Sequence, residues 1–559
     1  MNKISYALSI SALAFLLTAF TADSSCDTKH EPGERPNVLV IVCDDLNDSM
    51  EGLGGHPQAL TPNLSRLAAE GIKFSNAHSA APICGPSRAS LWTGIYPHNS
   101  GLYGHRQDQN RWHNNPTLKH SKPIFEHFAD KGYRIYGAGK LFHENHNTEP
   151  LFNRSDGLGT FGNGSEYGPF AFSGDMSKGI SKALKAHPDV PEQFGISGFN
   201  SFASIDNVPE IMADKENGID GYKGWVLIPK HKPSPFHYNT EKDRDPLPDE
   251  LTANFGIDVL QQDHDEPFLI TLGIIRPHAP WHAPQSFFDK FPLDEIELPP
   301  YLENDLDDCA EELWKFELDN GELIRNYGMF RFNALQECCE ENEGWRRWIQ
   351  AYLACVAFAD AQVGRVLEAL ENSPYANNTI VIFTSDHGFH MGEKDQIMKR
   401  TVWDESTRVP LIIRMPDGRN KGKESNHPVG LIDLYPTLVD LCGLSDDTYR
   451  DGGQPLDGNS LRPFLEDPEN GTWDGPDVAL SAIEAGVPVE QNVPAKVEDQ
   501  HFSVRSKDWR YTLTRKGDEE LYDHRSDPNE WNNLADDPAF SEVKEMLNKS
   551  LLSLTGRAD

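Results

Sequence analysis

Two pairs of adjacent residues in this 559-residue chain could hold a cation. Asp44-Asp45 closes the apolar run Val38 to Cys43, and Asp386-His387 follows the run Thr379 to Thr384. Alone, an acidic pair after a strand is as readily a cap or a turn. Three carboxylates and an imidazole gathered at one place would be costly to bury without a cation among them. Their oxygen-rich donors suit a hard divalent ion, while the imidazole leaves Zn²⁺ or Mn²⁺ open on ligand type alone. A third reactive point is Cys84, with Arg88 one helical turn further on. Read by itself, a cysteine before Gly85-Pro86 is a buried or incidental thiol.

Something must bring these distant pairs together. The runs Val38–Cys43, Phe268–Ile275 and Thr379–Thr384 are near-continuously apolar, as strands buried on both faces are. Each is followed at once by polar residues, and in a parallel sheet ligands bind beyond the carboxyl ends of the strands. Helices are expected between them. Pro62 to Glu70 has Thr61 as N-cap and Gly71 as stop, and Trp345 to Leu370 carries an apolar stripe. The densely acidic stretch Glu303 to Glu343 reads as a solvated helical insertion without chemistry. From about Gly443 the texture changes. Phe502–Arg505, Trp509–Leu513 and Glu520–Asp523 predict a small antiparallel sheet, closed by an amphipathic helix from Phe540 to Leu554. The fold class is therefore α/β: a large, mostly parallel or mixed sheet flanked by helices over 27–445, with a smaller α+β subdomain over 446–559.

The string Cys84-Gly85-Pro86-Ser87-Arg88-Ala89-Ser90-Leu91-Trp92-Thr93-Gly94 resembles the signature of the type I sulfatases, formylglycine-dependent enzymes of the alkaline-phosphatase-like superfamily. The resemblance continues through Asp44-Asp45, Gly139-Lys140-Leu141-Phe142-His143, Pro277-His278-Ala279-Pro280, Ser385-Asp386-His387-Gly388 and Lys399. It reaches Glu520-Leu521-Tyr522-Asp523 and Asp527-Pro528-Asn529-Glu530 near the end. Spacings and His387 look closest to the iduronate-2-sulfatase branch, whose relatives include bacterial polysaccharide sulfatases. The resemblance implies one Ca²⁺ held by Asp44, Asp45, Asp386 and His387 together with residue 84. It also implies that a maturation enzyme oxidises Cys84 to formylglycine (3-oxoalanine), an aldehyde whose hydrate attacks sulfur. Arg88 would hold that hydrate, and Lys140 and Lys399 would bind sulfate oxygens. His278, helped by Lys399, would protonate the leaving oxygen, and His143 would take the proton whose loss expels sulfate. Lys394 and Arg400 compete with Lys399, whose offset from Asp386 fits the branch better. Trp281, His282 and His390 would either line a sugar subsite or pack, and Cys43 reads as a core thiol.

Basic residues number 51 against 87 acidic ones, a formal net charge of −36. That balance excludes a nucleic-acid binder and docking on an anionic membrane through a basic face. A sulfated glycan remains compatible, because a cation with Arg88, Lys140 and Lys399 would make one positive pocket on a negative protein. Lys3 and the apolar stretch Ile4 to Ala22 predict an export signal over 1–26, with small residues at Ala22 and Ser24. The stretch is short for a transmembrane anchor and lacks a basic stop, and Cys26 offers a lipid anchor behind a poor lipobox. The expected location is the periplasm, the cell surface, an outer-membrane association, or the medium. Ulvan is the first substrate expectation among algal glycans, and a glycosaminoglycan the next. A phosphomonoester or phosphonate hydrolase and a catalytically silent sulfated-glycan binder are the alternatives. The eight cysteines define no disulfide scaffold, and adjacent Cys338 and Cys339 cannot readily bridge each other.

Overall fold

Strand β1 (Asn37–Asp44) is buried along its whole length because it carries apolar side chains on both faces. Leu39, Ile41 and Cys43 enter one hydrophobic cluster, and Val38, Val40 and Val42 enter another on the opposite face. The computed structural model describes residues 35–104, 112–143, 149–164, 167–177, 179–194, 197–213, 215–216, 221–228, 233–317, 323–485 and 493–557. The expected export signal and Cys26 lie outside these residues. From residue 35 onward the chain clusters as one unit.

The central sheet has nine strands. After β1 come β2 (Ile72–His78), β3 (Arg134–Gly139), β4 (Gly159–Phe161), β5 (Phe268–Pro277), β6 (Thr379–Ser385), β7 (Arg408–Arg414), β8 (Lys423–Ser425) and β9 (Val429–Gly430). Their order is β8-β2-β7-β6-β1-β5-β3-β4, with β9 also pairing with β2. Strands β6, β1, β5 and β3 run parallel, so Ser385, Asp44, Pro277 and Gly139 end on one edge. Strand β7 is antiparallel to both neighbours, which makes the sheet mixed. Helices α1 (Pro62–Glu70), α3 (Pro248–Leu260) and α5 (Glu343–Glu371) bury their apolar residues on one face. Helix α2 (Cys84–Thr93) places Ala89, Leu91 and Trp92 in the cluster on the other.

Helix α1 begins and ends where the sequence predicts, but Thr61 does not cap it. The Thr61 hydroxyl accepts from the Glu51 N–H instead. Buried Asp360 of α5 takes the free N–H groups of Asn63 and Leu64, at 3.2 and 2.8 Å. The stretch 303–343 corrects the expectation of a solvated insertion. Its helix α4 (Tyr327–Glu337) buries Met329, Phe332 and Leu335, and Leu306, Cys309 and Leu313 pack with Trp403 and Tyr522. The high density of acids obscured an apolar set that reaches partners far along the chain.

The last segment forms a four-stranded antiparallel sheet of β10 (Ala479–Glu484), β11 (Gln500–Arg505), β12 (Trp509–Leu513) and β13 (Glu519–Asp523). Helix α6 (Ser541–Thr555) covers it through Leu547 and Leu551. Strand β10, absent from the sequence reading, sits beside the end of β2, where the Ala482 N–H donates to Ala80 O at 2.9 Å. The described cysteines are all free thiols, with Cys338 and Cys339 in contact but unbridged. Among the described residues, no helix is long and apolar enough to cross a membrane.

Buried Arg510 of β12 binds both Asp404 and Glu530, and His524 adds a contact to Glu530 at 2.9 Å. Burial opposes ionisation of Glu530, yet Arg510 and His524 hold its pKa down at about 2. A depressed carboxylate stabilises the fold above its unfolded value of about 4.5, and that contribution fades as pH falls toward about 2. Glu530→Gln is therefore expected to lower stability at pH 7 by about 3 kcal/mol and to flatten the acid limb. Urea unfolding at pH 7 and pH 3.5 reads both effects; parallel curves at both pH values would contradict this.

Candidate active site

The first polar residues after the parallel strands meet in one buried cluster. A register shift between Val42 and Asp44 turns the end of β1, and Asp45 follows with a φ of 65°. The Asp45 N–H donates to Asp386 Oδ1 at 3.3 Å, and its carbonyl accepts from Tyr352 of α5 at 2.8 Å. After β3, Gly139 has a φ of 72°, and a Cβ there would lie 2.1 Å from Gly273 O. Only glycine therefore lets Lys140 leave the strand at this point.

Cys84 occupies the first turn of α2 and is buried. Its Sγ lies 3.5 Å from Asp44 Oδ1, 3.4 Å from His387 Nε2 and 3.1 Å from Lys399 Nζ. The His143 imidazole is in hydrogen-bonding contact with the same thiol. Burial opposes ionisation of Cys84, but Lys140, Lys399 and His387 pull its pKa well below the ordinary thiol value. One turn on, Arg88 Nε donates to Asp386 Oδ2 at 2.8 Å and Nη1 binds Lys140 O. Its buried Nη2 makes no hydrogen bond among the described residues and sits 3.9 Å from Asp44. Ser87 Oγ donates to Asp386 O, so two side chains of the Cys84 string fix the end of β6.

Lys140 is wholly buried and binds Asp44, while Lys399 binds Asp45. Burial disfavours the Lys140 ammonium, but Asp44 and Cys84 raise its pKa well above normal; Lys399 is raised likewise by Asp45 and Cys84. Burial pushes Asp386 up to about 6 against the pull of Arg88. His387 is held at about 9, with burial opposing and Asp386 favouring the charged ring. His278 lies 3.8 Å from Asp45 through Nε2, and its Nδ1 faces Ala279 O at 2.6 Å.

The sequence-predicted residues Asp44, Asp45, Cys84, Arg88, Lys140, His143, His278, Asp386, His387 and Lys399 thus converge. Its competitors do not: Lys394 pairs with Asp305 at 2.8 Å, and Arg400 faces Glu484 at 3.5 Å. Trp281, His282 and His390 are packing residues. Trp281 stacks edge-on against Trp348, His282 binds Ser201 at 2.8 Å, and His390 binds Thr401 at 2.7 Å. Cys43 is a core thiol. Sequence reasoning missed Tyr167, whose ring lies 5.3 Å from Lys140 Nζ and 5.1 Å from the His278 ring. A single tyrosine in a Gly-rich stretch gave no periodic or motif signal.

Asp44, Asp386, His387 and Cys84 can each turn a donor atom to within 4.8 Å of the others, and so can Asp44, Asp45, Cys84 and His278. Carboxylates dominate this donor set, which fits a hard divalent cation. The negative charges of Asp44, Asp45 and Asp386 are matched by Arg88, Lys140 and Lys399, so a divalent ion would leave the pocket positive. Such a site can bind an anion, offer a nucleophile at position 84 and move protons at two imidazoles.

A nine-stranded mixed sheet flanked by helices, with this cluster on its carboxyl edge, is a fold of the alkaline-phosphatase-like kind. Residues 36–444 match the Sulfatase family, and residues 392–557 match "N-sulphoglucosamine sulphohydrolase, C-terminal". The chain belongs to the sulfatase family, the enzymes that hydrolyse sulfuric esters. A "Sulfatase" of Formosa agariphila is 32% identical over 93% of this chain and 87% of its own length. An "Ulvan-active sulfatase" of the same organism is 27% identical over 97% of this chain and 86% of its own. The solved phosphonate monoester hydrolase of Agrobacterium radiobacter shares the fold, with a TM-score of 0.64 at 21% identity over 93% of this chain and 96% of that one.

Proposed function

We propose that this sulfatase is an exported enzyme that removes sulfate from a carbohydrate, an algal polysaccharide such as ulvan or its oligosaccharides, using a formylglycine made from Cys84. The observation that carries this reading is the gathering of Lys399, His387 and Asp44 within 3.5 Å of Cys84 Sγ at the start of α2, with Lys140 bound to that same Asp44. The 27% identity to an ulvan-active sulfatase supports the substrate class. The lone Nη2 of Arg88 suits an oxidised residue 84, because an aldehyde hydrate offers two oxygens where the thiol offers one sulfur. Formylglycine at position 84 supplies a hydroxyl nucleophile, and one Ca²⁺ held by Asp44, Asp45, Asp386 and His387 would make that hydroxyl acidic.

The chain's own residues do the rest. Lys140 and Lys399 stay charged at any working pH and hold the sulfate oxygens as negative charge builds on them. Their burial makes those contacts stronger than they would be in water. His278, at the edge of the cluster and partly exposed, donates a proton to the departing sugar oxygen. His143, against residue 84, accepts the proton whose loss regenerates the aldehyde. Tyr167 packs on Lys140 and His278 and fixes the angle between them. Residues 446–559 act as a subdomain that braces the segment carrying Lys399.

Matured protein is expected to release sulfate from sulfated ulvan oligosaccharides, and to turn over 4-nitrophenyl sulfate faster than 4-nitrophenyl phosphate. Ion chromatography and absorbance read the two assays. Faster phosphate turnover would overturn the sulfate reading, and glycan binding without sulfate release would overturn the enzymatic one.

A further inference from the structure

In a chain so rich in acids, half-buried Arg331 of α4 has no carboxylate partner among the described residues. Among the described residues its guanidinium binds neutral groups, Asn200 Oδ1 and the Tyr327 hydroxyl, the latter at 2.7 Å. Its buried Nε has no hydrogen-bond partner among the described residues. Burial lowers its pKa, and the Tyr327 hydroxyl acts in the opposite direction. A guanidinium with one buried N–H unpaired is short of partners, and its natural complement is a carboxylate or a sulfate.

The partner of Arg331, Tyr327, shares a cavity with Lys399 of the site. The guanidinium lies 3.9 Å from the centre of the Tyr327 ring, and Tyr327 is 50% exposed. The Tyr327 oxygen accepts from Arg331 and from Asn200 Nδ2, at 2.7 and 3.3 Å, which leaves its own hydrogen to point outward. On one side Tyr327 lines a cavity together with Met398, Lys399 and Arg400. On the other, Asn200 adjoins Phe199, whose ring lies 5.7 Å from Tyr167, itself 5.1 Å from His278. A wall therefore runs from the leaving-group side of the cluster to the lysine side, with Arg331 and Tyr327 between them.

We propose that Arg331 and Tyr327 form a subsite for a second anionic group of the substrate, a carboxylate or a further sulfate on the glycan that carries the scissile ester. Tyr327 offers its ring to the sugar and its hydroxyl to the anion. Arg331 offers Nη1, which has no acceptor among the described residues. This rests on the carbohydrate-sulfatase reading above and narrows it: neutral sugar sulfates become poor substrates.

The test compares kcat/KM on three substrates: a sulfated oligosaccharide bearing a uronate, the same compound with its carboxyl reduced to the alcohol, and a disulfated analogue of the reduced compound. Wild-type enzyme should prefer the uronate or the disulfate over the singly charged compound by about 10- to 100-fold, mainly through KM. Whichever of the two is preferred identifies the anion. Arg331→Ala should bring that ratio close to one, and Arg331→Lys should restore part of it. Direct calorimetric binding to the Cys84→Ala protein repeats the comparison without turnover. Equal kcat/KM on all three wild-type substrates, or an Arg331→Ala ratio matching wild type, would overturn the subsite while leaving the sulfatase reading intact. Binding that depends on Arg331 without any sulfate release would overturn the hydrolytic reading and leave the subsite standing.

Discussion

Cys84→Ala protein is expected to lose sulfate release by at least about 10³-fold in kcat while keeping its fold. The contacts of Sγ are polar ones, with Asp44, His387 and Lys399, so its removal leaves both hydrophobic faces of the sheet untouched. Taking away a group held toward the thiolate also makes the cluster more positive, and sulfate should still bind there. The variant should therefore show a thermal midpoint within about 3 °C of wild type and a measurable affinity for the substrate. Cys84→Ser separates two explanations, since serine retains an oxygen but cannot regenerate an aldehyde. It should be nearly as inactive as the alanine variant, and mass analysis of the wild-type peptide spanning position 84 should reveal the aldehyde. Sulfate release by Cys84→Ala at a rate near that of wild type would refute a nucleophile at this position.

Chelation with EGTA is expected to abolish turnover, with a fall of about 10²-fold or more, and added Ca²⁺ to restore it. Asp44 and Asp386 are wholly buried, and Asp386 is held at about 6 by burial against the pull of Arg88. Lys140 and Lys399 hydrogen-bond Asp44 and Asp45, the same carboxylates a cation would use. Without the ion those ammoniums remain engaged with carboxylates and less free to hold sulfate, so binding and chemistry should fail together. The chelated protein should also unfold at a lower temperature, by an amount that grows with the Ca²⁺ concentration of the reference sample. Full activity after exhaustive chelation, verified by elemental analysis, would remove the ion from the mechanism. Restoration by Zn²⁺ or Mn²⁺ but not Ca²⁺ would reassign it.

Strands β1, β5 and β6 were legible because burial on both faces leaves an uninterrupted apolar run, and the residues just after each run become the site. The Cys84 string was legible because it is local: one helical turn sets the spacing of Cys84 and Arg88. Strand β10 was not, since Ala479–Glu484 pairs with β11 across an intervening loop and is seated on the end of β2, some 400 positions away. The cap on α1 was misplaced for the same reason, because Asp360 reaches it from α5. Tyr167 and Arg331 escaped because neither belongs to a periodic pattern, and their meaning lies in what surrounds them.

The segment between Lys394 and Asp404 is gripped from the far end of the chain. Arg510 donates to Val402 O at 2.8 Å, Trp403 donates to Glu520 at 2.9 Å, and the Asp404 N–H donates to Glu530 at 3.0 Å. Lys394 is tied to Glu530 O as well. In engineering terms, the last sheet cannot be exchanged between relatives as a cassette. A hybrid that keeps every residue of the cluster but imports a foreign tail would inherit a misplaced Lys399. Its failure would resemble a chemical defect while arising from an anchor more than a hundred residues downstream.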